Sequence, residues 1–206
     1  MRVDFTTNLR GDLAARLRPI NEFYAQLVTA PETQFQPVPT PFLTTSFVVQ
    51  AQKFAPTRPI LLYVGCGPDG QAFVLNGQPE EFNRMVHADG VHVRDAETAI
   101  ELARTFLYVT RPQHQRYVVV SSITELPWRP NLEQDERNQR ERATHEFGSV
   151  IRPPVAASRI TEGFDVSAYV VHQMSLIEVV VAVASDGRAT TTNRTLATDL
   201  PFTYSM

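Results

Sequence analysis

Residues 60–77 read ILLYVGCGPDGQAFVLNG. An apolar run, Ile60 to Val64, leads into a Gly/Pro/Asp cluster, and a second apolar run, Gln71 to Leu75, comes after it. Two proteins can be read from these letters. One has a β-hairpin at the centre of an antiparallel sheet. The other has a strand feeding a loop in which Gly65, Gly67 and Gly70 hold the G-x-G-x-x-G spacing. Such glycines let backbone N–H groups approach an anionic or ribose-bearing ligand at a helix N-terminus. The residues after the loop decide between them. Gln71 to Leu75 is short and apolar and ends at Asn76-Gly77, a turn dipeptide. A helix begun at Pro68 would stop after about two turns, too short for a crossover to a parallel strand. Pro68 supplies the fixed φ that starts a turn, and Gly70 the positive φ near its end. Every local choice agrees with the hairpin.

Two resemblances attach to this stretch. VGCGPDG, residues 64–70, resembles the first motif of S-adenosylmethionine-dependent methyltransferases. That resemblance implies a cofactor held by Gly65, Gly67 and Gly70, a helix after the loop, and an acidic residue ending the next strand. The chain departs from the pattern. Asp69 stands where the family's tight loop has glycine, and no strand ending in Asp or Glu comes next. Asp89 lies in a turn-like HADG, and Asp95 reads as a helix cap. The succession DGQAFVLNG, EEFN and LARTFLYVT, with DVSAYVVHQMSLIEVVVAVASDGRATTTN and DLPF later, resembles instead a class of uncharacterised bacterial proteins. Their signature is DG…LLNG…FN. This second resemblance implies a fold and carries no activity.

Around that centre, bulk composition sets the class. The chain has 206 residues, 43% hydrophobic and 20% charged, enough to build a core. A net charge of −3 offers no basic excess for a phosphate backbone, so nucleic acid is not an expected partner. The lone cysteine, Cys66, excludes an internal disulfide and a multi-cysteine zinc site. The N-terminus has no long apolar core. The most apolar run, Val170 to Ala184, is too interrupted for a membrane span. The expectation is a reduced, cytoplasmic, soluble protein with no membrane partner.

Upstream of the hairpin, Leu9, Leu13, Leu17, Ile20, Tyr24 and Leu27 form one helical stripe, with Asn8 as a candidate cap and a break at Pro19. Pro31 to Pro41, with four prolines, reads as an extended connection. Leu43 to Phe54 reads as a strand and Ala55 to Pro59 as a turn. Downstream, Pro79 opens a short helix. Asp95 caps a longer one, Ala96 to Val109, with Ala96, Ile100, Ala103, Phe106 and Leu107 on one face.

Tyr117 to Ile123 is a β-branched strand. Residues 131–147 are dense in mixed charges and read as a solvated helix or mobile loop outside the core. Val155 to Thr161, Phe164 to His172 and Leu176 to Ser185 read as strands. Asp186-Gly187 signals a type I′ turn. The threonine-rich Arg188 to Leu196 then forms an edge or exposed strand.

The expected fold is one α+β domain over 1–206. A mostly antiparallel sheet is packed by two or three helices, with a charged insertion at 131–147. No catalytic constellation emerges. Five histidines are scattered, and His87, Asp89 and His92 match no standard metal-ligand spacing. His172 reads as a hairpin-end residue. Glu80 and Glu81 sit at a helix start, where the helix dipole explains them. Cys66, between two glycines in an expected exposed turn, lacks a sequence-visible base to form thiolate. The expected function is a small non-enzymatic binding or protein-interaction module, without cofactor or metal, that engages a protein partner or itself. The alternative is a methyltransferase using Gly65, Gly67 and Gly70.

Overall fold

A computed structural model describes residues 7–54, 59–112, 115, 117–160 and 162–203, with Thr7 and Asn8 described by backbone alone. The fold is α+β, with five helices and two antiparallel sheets among the described residues. Contacts group the chain into two compact units, Met1–Val91 and His92–Met206. Residues 55–58 of the expected turn, Thr161, His114 and the Asn8 side chain lie outside what is described.

In the first unit the apolar stripe forms two helices, α1 (Thr7–Leu17) and α2 (Glu22–Thr29). Pro19 falls between them. Asn21 caps α2, its side chain accepting the Phe23 N–H at 2.9 Å. The break resets the helical phase, so Ile20 leaves the stripe and stands 52% exposed. Strands β1 (Thr33–Val38), β2 (Phe47–Lys53), β3 (Ile60–Cys66) and β4 (Ala72–Val74) form an antiparallel sheet in chain order. β1 corrects the reading of Pro31 to Pro41 as connection only. It pairs with β2 along one side alone, and an edge strand tolerates Pro37.

The sheet's alternation separates two faces. Leu13, Leu17 and Val28 of the helical pair bury against Val49, Leu62, Val64, Cys66 and Val74. Gly65 and Phe73 point to the other face, toward α3 (Pro79–Asp89). Helical layers thus lie on both sides of the sheet.

In the second unit, α4 (Ala96–Val109) begins at Asp95, whose carboxylate accepts the Thr98 N–H at 2.8 Å. It packs on β5 (Tyr117–Val120), β6 (Val155–Ser158), β7 (Gly163–His172) and β8 (Ser175–Ala184). β5 and β6 share one side of β7. β8 takes the other and is followed by β9 (Ala189–Ala197) at the edge.

Two expectations need correction in this unit. Residues 134–147 form α5 (Gln134–Phe147), and its last turn is core. Ala143 and Phe147 bury with Ile151, Val120, Leu126 and Phe202. One apolar side chain per turn suffices there, while a capping box of Glu133 and Glu136 secures the charged start. The β8–β9 turn is not type I′. It spans residues 185–187, and positive φ occurs at Gly187 (80°) but not at Asp186. Asp186 instead accepts the Arg188 N–H at 3.1 Å, which fixes a three-residue loop.

Candidate functional site

The opening stretch folds as a hairpin. β3 and β4 pair antiparallel, with Val64 opposite Val74, Gly65 opposite Phe73 and Cys66 opposite Ala72. The turn runs from Pro68 to Gln71, whose N–H donates to the Pro68 carbonyl at 3.3 Å, and its two central residues, Asp69 (φ 58°) and Gly70 (φ 80°), are both left-handed.

Two of the three glycines have their side-chain space already filled. A side chain at Gly65 would collide with the Met85 sulfur, and one at Gly67 would meet the Phe73 ring at 3.0 Å. Gly70 serves the turn. An antiparallel strand stands where a crossover helix would come after a cofactor loop.

Cys66 ends β3 and is buried, which corrects the expectation of an exposed turn position. Burial pushes its thiol up to about 11, against a smaller opposing pull from the Arg16 guanidinium. At neutral pH it is a protonated core group.

β4 is the last strand of its sheet, and its outer side opens into a cleft of about 620 Å³. Ile20, Asn21 and Tyr24, at the α1–α2 corner, form one wall. Gln78, Glu81 and Arg84 of α3 and its N-cap form the other, and Gln71 to Val74 form the floor. The helical layers therefore overhang the sheet edge on both sides.

Backbone alternation sets what the floor offers. Gly67 donates to the Gln71 carbonyl at 3.0 Å and Leu75 to the Tyr63 carbonyl at 3.0 Å, so residues 71, 73 and 75 face β3. Ala72 and Val74, alternating with them, turn their N–H and C=O groups outward into the cleft. Arg84 lies over the Phe73 ring at 5.8 Å and pairs with Glu81 at 2.6 Å. Asn76 holds the floor's end, accepting the Tyr63 N–H at 2.7 Å and donating to the Leu61 carbonyl at 3.3 Å. Phe23 (54% exposed) and Ile20 leave apolar surface on α2 and at the corner before it.

Asp89, which the sequence sets between His87 and His92, has a task unrelated to metal. It ends α3, and its carboxylate accepts N–H bonds from Thr44 (2.6 Å), Thr45 (2.8 Å) and Ser46 (2.5 Å) as well as both threonine hydroxyls. Desolvation pushes the carboxyl up. The Thr45 hydroxyl and the backbone donors of residues 44–46 outweigh it and hold the group at about 2. The clasp fastens the segment entering β2. Among the described residues, no group of three His, Cys, Asp or Glu side chains is placed to hold a metal ion.

His172 ends β7, its Nε2 lying 2.7 Å from the Gln115 side-chain oxygen. In the second unit a smaller cleft of about 400 Å³ runs between α4 and β5. Its arginines are engaged: Arg111 stacks over Tyr108 at 4.8 Å, and Arg104 pairs with Glu101 at 3.2 Å.

No protein-family model, curated protein or solved structure matches the chain. Among the described residues no helix is long and apolar enough to cross a membrane.

The cleft was not legible in residues 60–77. Its floor is local, but its walls come from helices on either side in sequence. The one available signal was Ile20, an apolar residue just past a helix-breaking Pro19.

Proposed function

We propose that the protein is a soluble, cytoplasmic, non-enzymatic interaction module that binds an extended polypeptide segment in the cleft over β4. The observation that carries this reading is the outward-facing backbone of Ala72 and Val74 on the cleft floor. Backbone donors and acceptors at a sheet edge are met by an added strand, which gains main-chain hydrogen bonds from the floor and side-chain contacts from the walls. The Tyr24 ring and the exposed Ile20 side chain supply apolar contact. Gln71, Gln78 and Asn21 supply neutral polar groups, a lining suited to an uncharged segment with alternating apolar side chains.

A displayed library of random decapeptides, panned on the whole protein, tests this. Enriched peptides are expected to bind wild type and to lose binding on Ala72→Pro. That change removes one outward N–H and leaves the β3 ladder intact. Failure to enrich any peptide, or equal binding to Ala72→Pro, overturns the proposal. Millimolar S-adenosylmethionine is expected to leave the melting temperature unchanged; a clear stabilisation would favour the methyltransferase alternative through Gly65, Gly67 and Gly70.

A further inference from the structure

We infer that the cleft between α4 and β5 is a binding site for a small aryl carboxylate, a flat apolar body carrying one negative charge. The inference rests on the second unit alone and is independent of the cleft over β4. Arg104, Leu107, Tyr108 and Arg111 recur at three- and four-residue steps, so one stripe of α4 and its C-terminal end forms a wall. β5 faces that wall with the Tyr117 ring and the exposed Val118. The volume of about 400 Å³ lies within the range of small-molecule pockets. In a chain of net charge −3, the charged lining of this cleft is Arg104 and Arg111, and no carboxylate stands among the described residues that line it. Two cations beside an apolar floor are complementary to an anion with an apolar body.

The surroundings of the two cations narrow the ligand class. Arg111 is half-buried and lies over the Tyr108 ring at 4.8 Å, which seats a planar cation on an aromatic surface. Arg104 reaches Glu101 through Nη1 at 3.2 Å, with the two side chains 46% and 42% exposed. An exposed pair one turn apart on a helix is weak and screened by salt, so a carboxylate seated beside Leu107 competes for that guanidinium. Burial pushes Tyr117 up to about 12, so its hydroxyl remains a donor at neutral pH. The Tyr108 and Tyr117 rings suit an aromatic body. A phosphate ester fits less well. The stripe ends at the C-terminus of α4, where the helix dipole opposes a dianion more than a monoanion, and neither a helix N-terminus nor a glycine lines the cleft.

Amide chemical-shift titration of the whole protein tests the site with three probes: phenylpropanoate, its neutral amide phenylpropanamide, and phenyl phosphate. Phenylpropanoate is expected to give saturable shifts confined to α4, β5 and the residues joining them, with a dissociation constant below about 1 mM. The amide, which keeps the ring and loses the charge, is expected to bind at least about tenfold more weakly, and phenyl phosphate more weakly than the acid. Added salt should weaken the acid and leave the amide unchanged. Arg104→Gln and Arg111→Gln should each weaken the acid several-fold without moving the amide, their dispersed spectra reporting an intact fold. The comparison of acid with amide on wild type stands without either variant. The inference is overturned by the lack of a saturable shift with the acid, by equal affinity for acid and amide, or by tighter binding of phenyl phosphate. Full affinity for the acid in both arginine variants also overturns it.

Discussion

β4 and β9 both end their sheets, yet one is a floor and the other a bare rim. β4 is a three-residue strand overhung by helical layers on both faces of its sheet, so its free backbone lies at the bottom of a cleft. β9 is a nine-residue strand, with Thr190 to Thr195 exposed on both faces. A recessed edge selects a single slender strand with side chains that fit the walls. A bare edge sets no such limit, because nothing overhangs it. The same unpaired N–H and C=O chemistry is thus set in two different surroundings, decided by what covers the edge.

The sharpest way to break the comparison is proline scanning along both strands. Ala184 donates to the Arg188 carbonyl at 2.8 Å and the pairing runs without a shift to Thr195, so Thr190, Thr192 and Arg194 face β8 while Thr191, Asn193 and Thr195 face outward. Thr192→Pro removes an N–H that faces β8 and leaves the opposite carbonyl unmet, which should cost about 1–3 kcal/mol in denaturant unfolding. Asn193→Pro and Ala72→Pro, whose N–H groups face outward, should each cost under about 1 kcal/mol. Equal losses at Thr192 and Asn193 would show that the alternation assigned to β9 is wrong.

The next effect concerns what holds each sheet's covering elements. Phe147→Ala should destabilise the second unit by about 3 kcal/mol, since it empties a buried site on α5. Substitution of the exposed Glu141 should stay within about 0.5 kcal/mol. Thermal melts of the two variants check this, and near-equal melting temperatures would return α5 to the solvated status its composition suggests.

The first unit carries an acid-sensitive restraint. Asp89 titrates at about 2 in the folded state, below the ordinary carboxyl value of 3.8. A depressed folded pKa contributes stability that is complete above the unfolded value and is lost as pH falls through the folded one. Stability should therefore decline between about pH 4 and pH 2 through Asp89, and Asp89→Asn should flatten that part of the profile. An unchanged acid limb in Asp89→Asn would remove the clasp from the account.

A smaller effect is expected at the cleft wall. Arg84→Ala should change stability by less than about 0.5 kcal/mol, while weakening a selected peptide several-fold by removing a side chain from the cleft wall. Calorimetric titration reads the second quantity.

The hairpin was legible in the sequence because its determinants are local: Pro68, Gly70 and Asn76-Gly77 state their turn geometry outright. α4 was equally legible from Asp95 and its apolar spacing. β1 was not, because Pro37 weighs against a strand until an edge position excuses it. α5 was misread because residues 131–147 are so charged that two buried side chains, Ala143 and Phe147, drop out of the pattern. The polar character of β9 was visible. The cleft was not, because no single segment contains it. Its glycine neighbours, which carry the most function-like letters in the chain, are spent on Met85, Phe73 and the turn.

The most direct test of the open cleft floor is residue-resolved amide hydrogen exchange across β4 in the free protein. Phe73 and Leu75, which face β3, should exchange slowly, whereas Ala72 and Val74 should exchange rapidly and become protected when a selected peptide is added. Slow exchange at Ala72 and Val74 without peptide would mean the edge is already occupied, and would contradict the account.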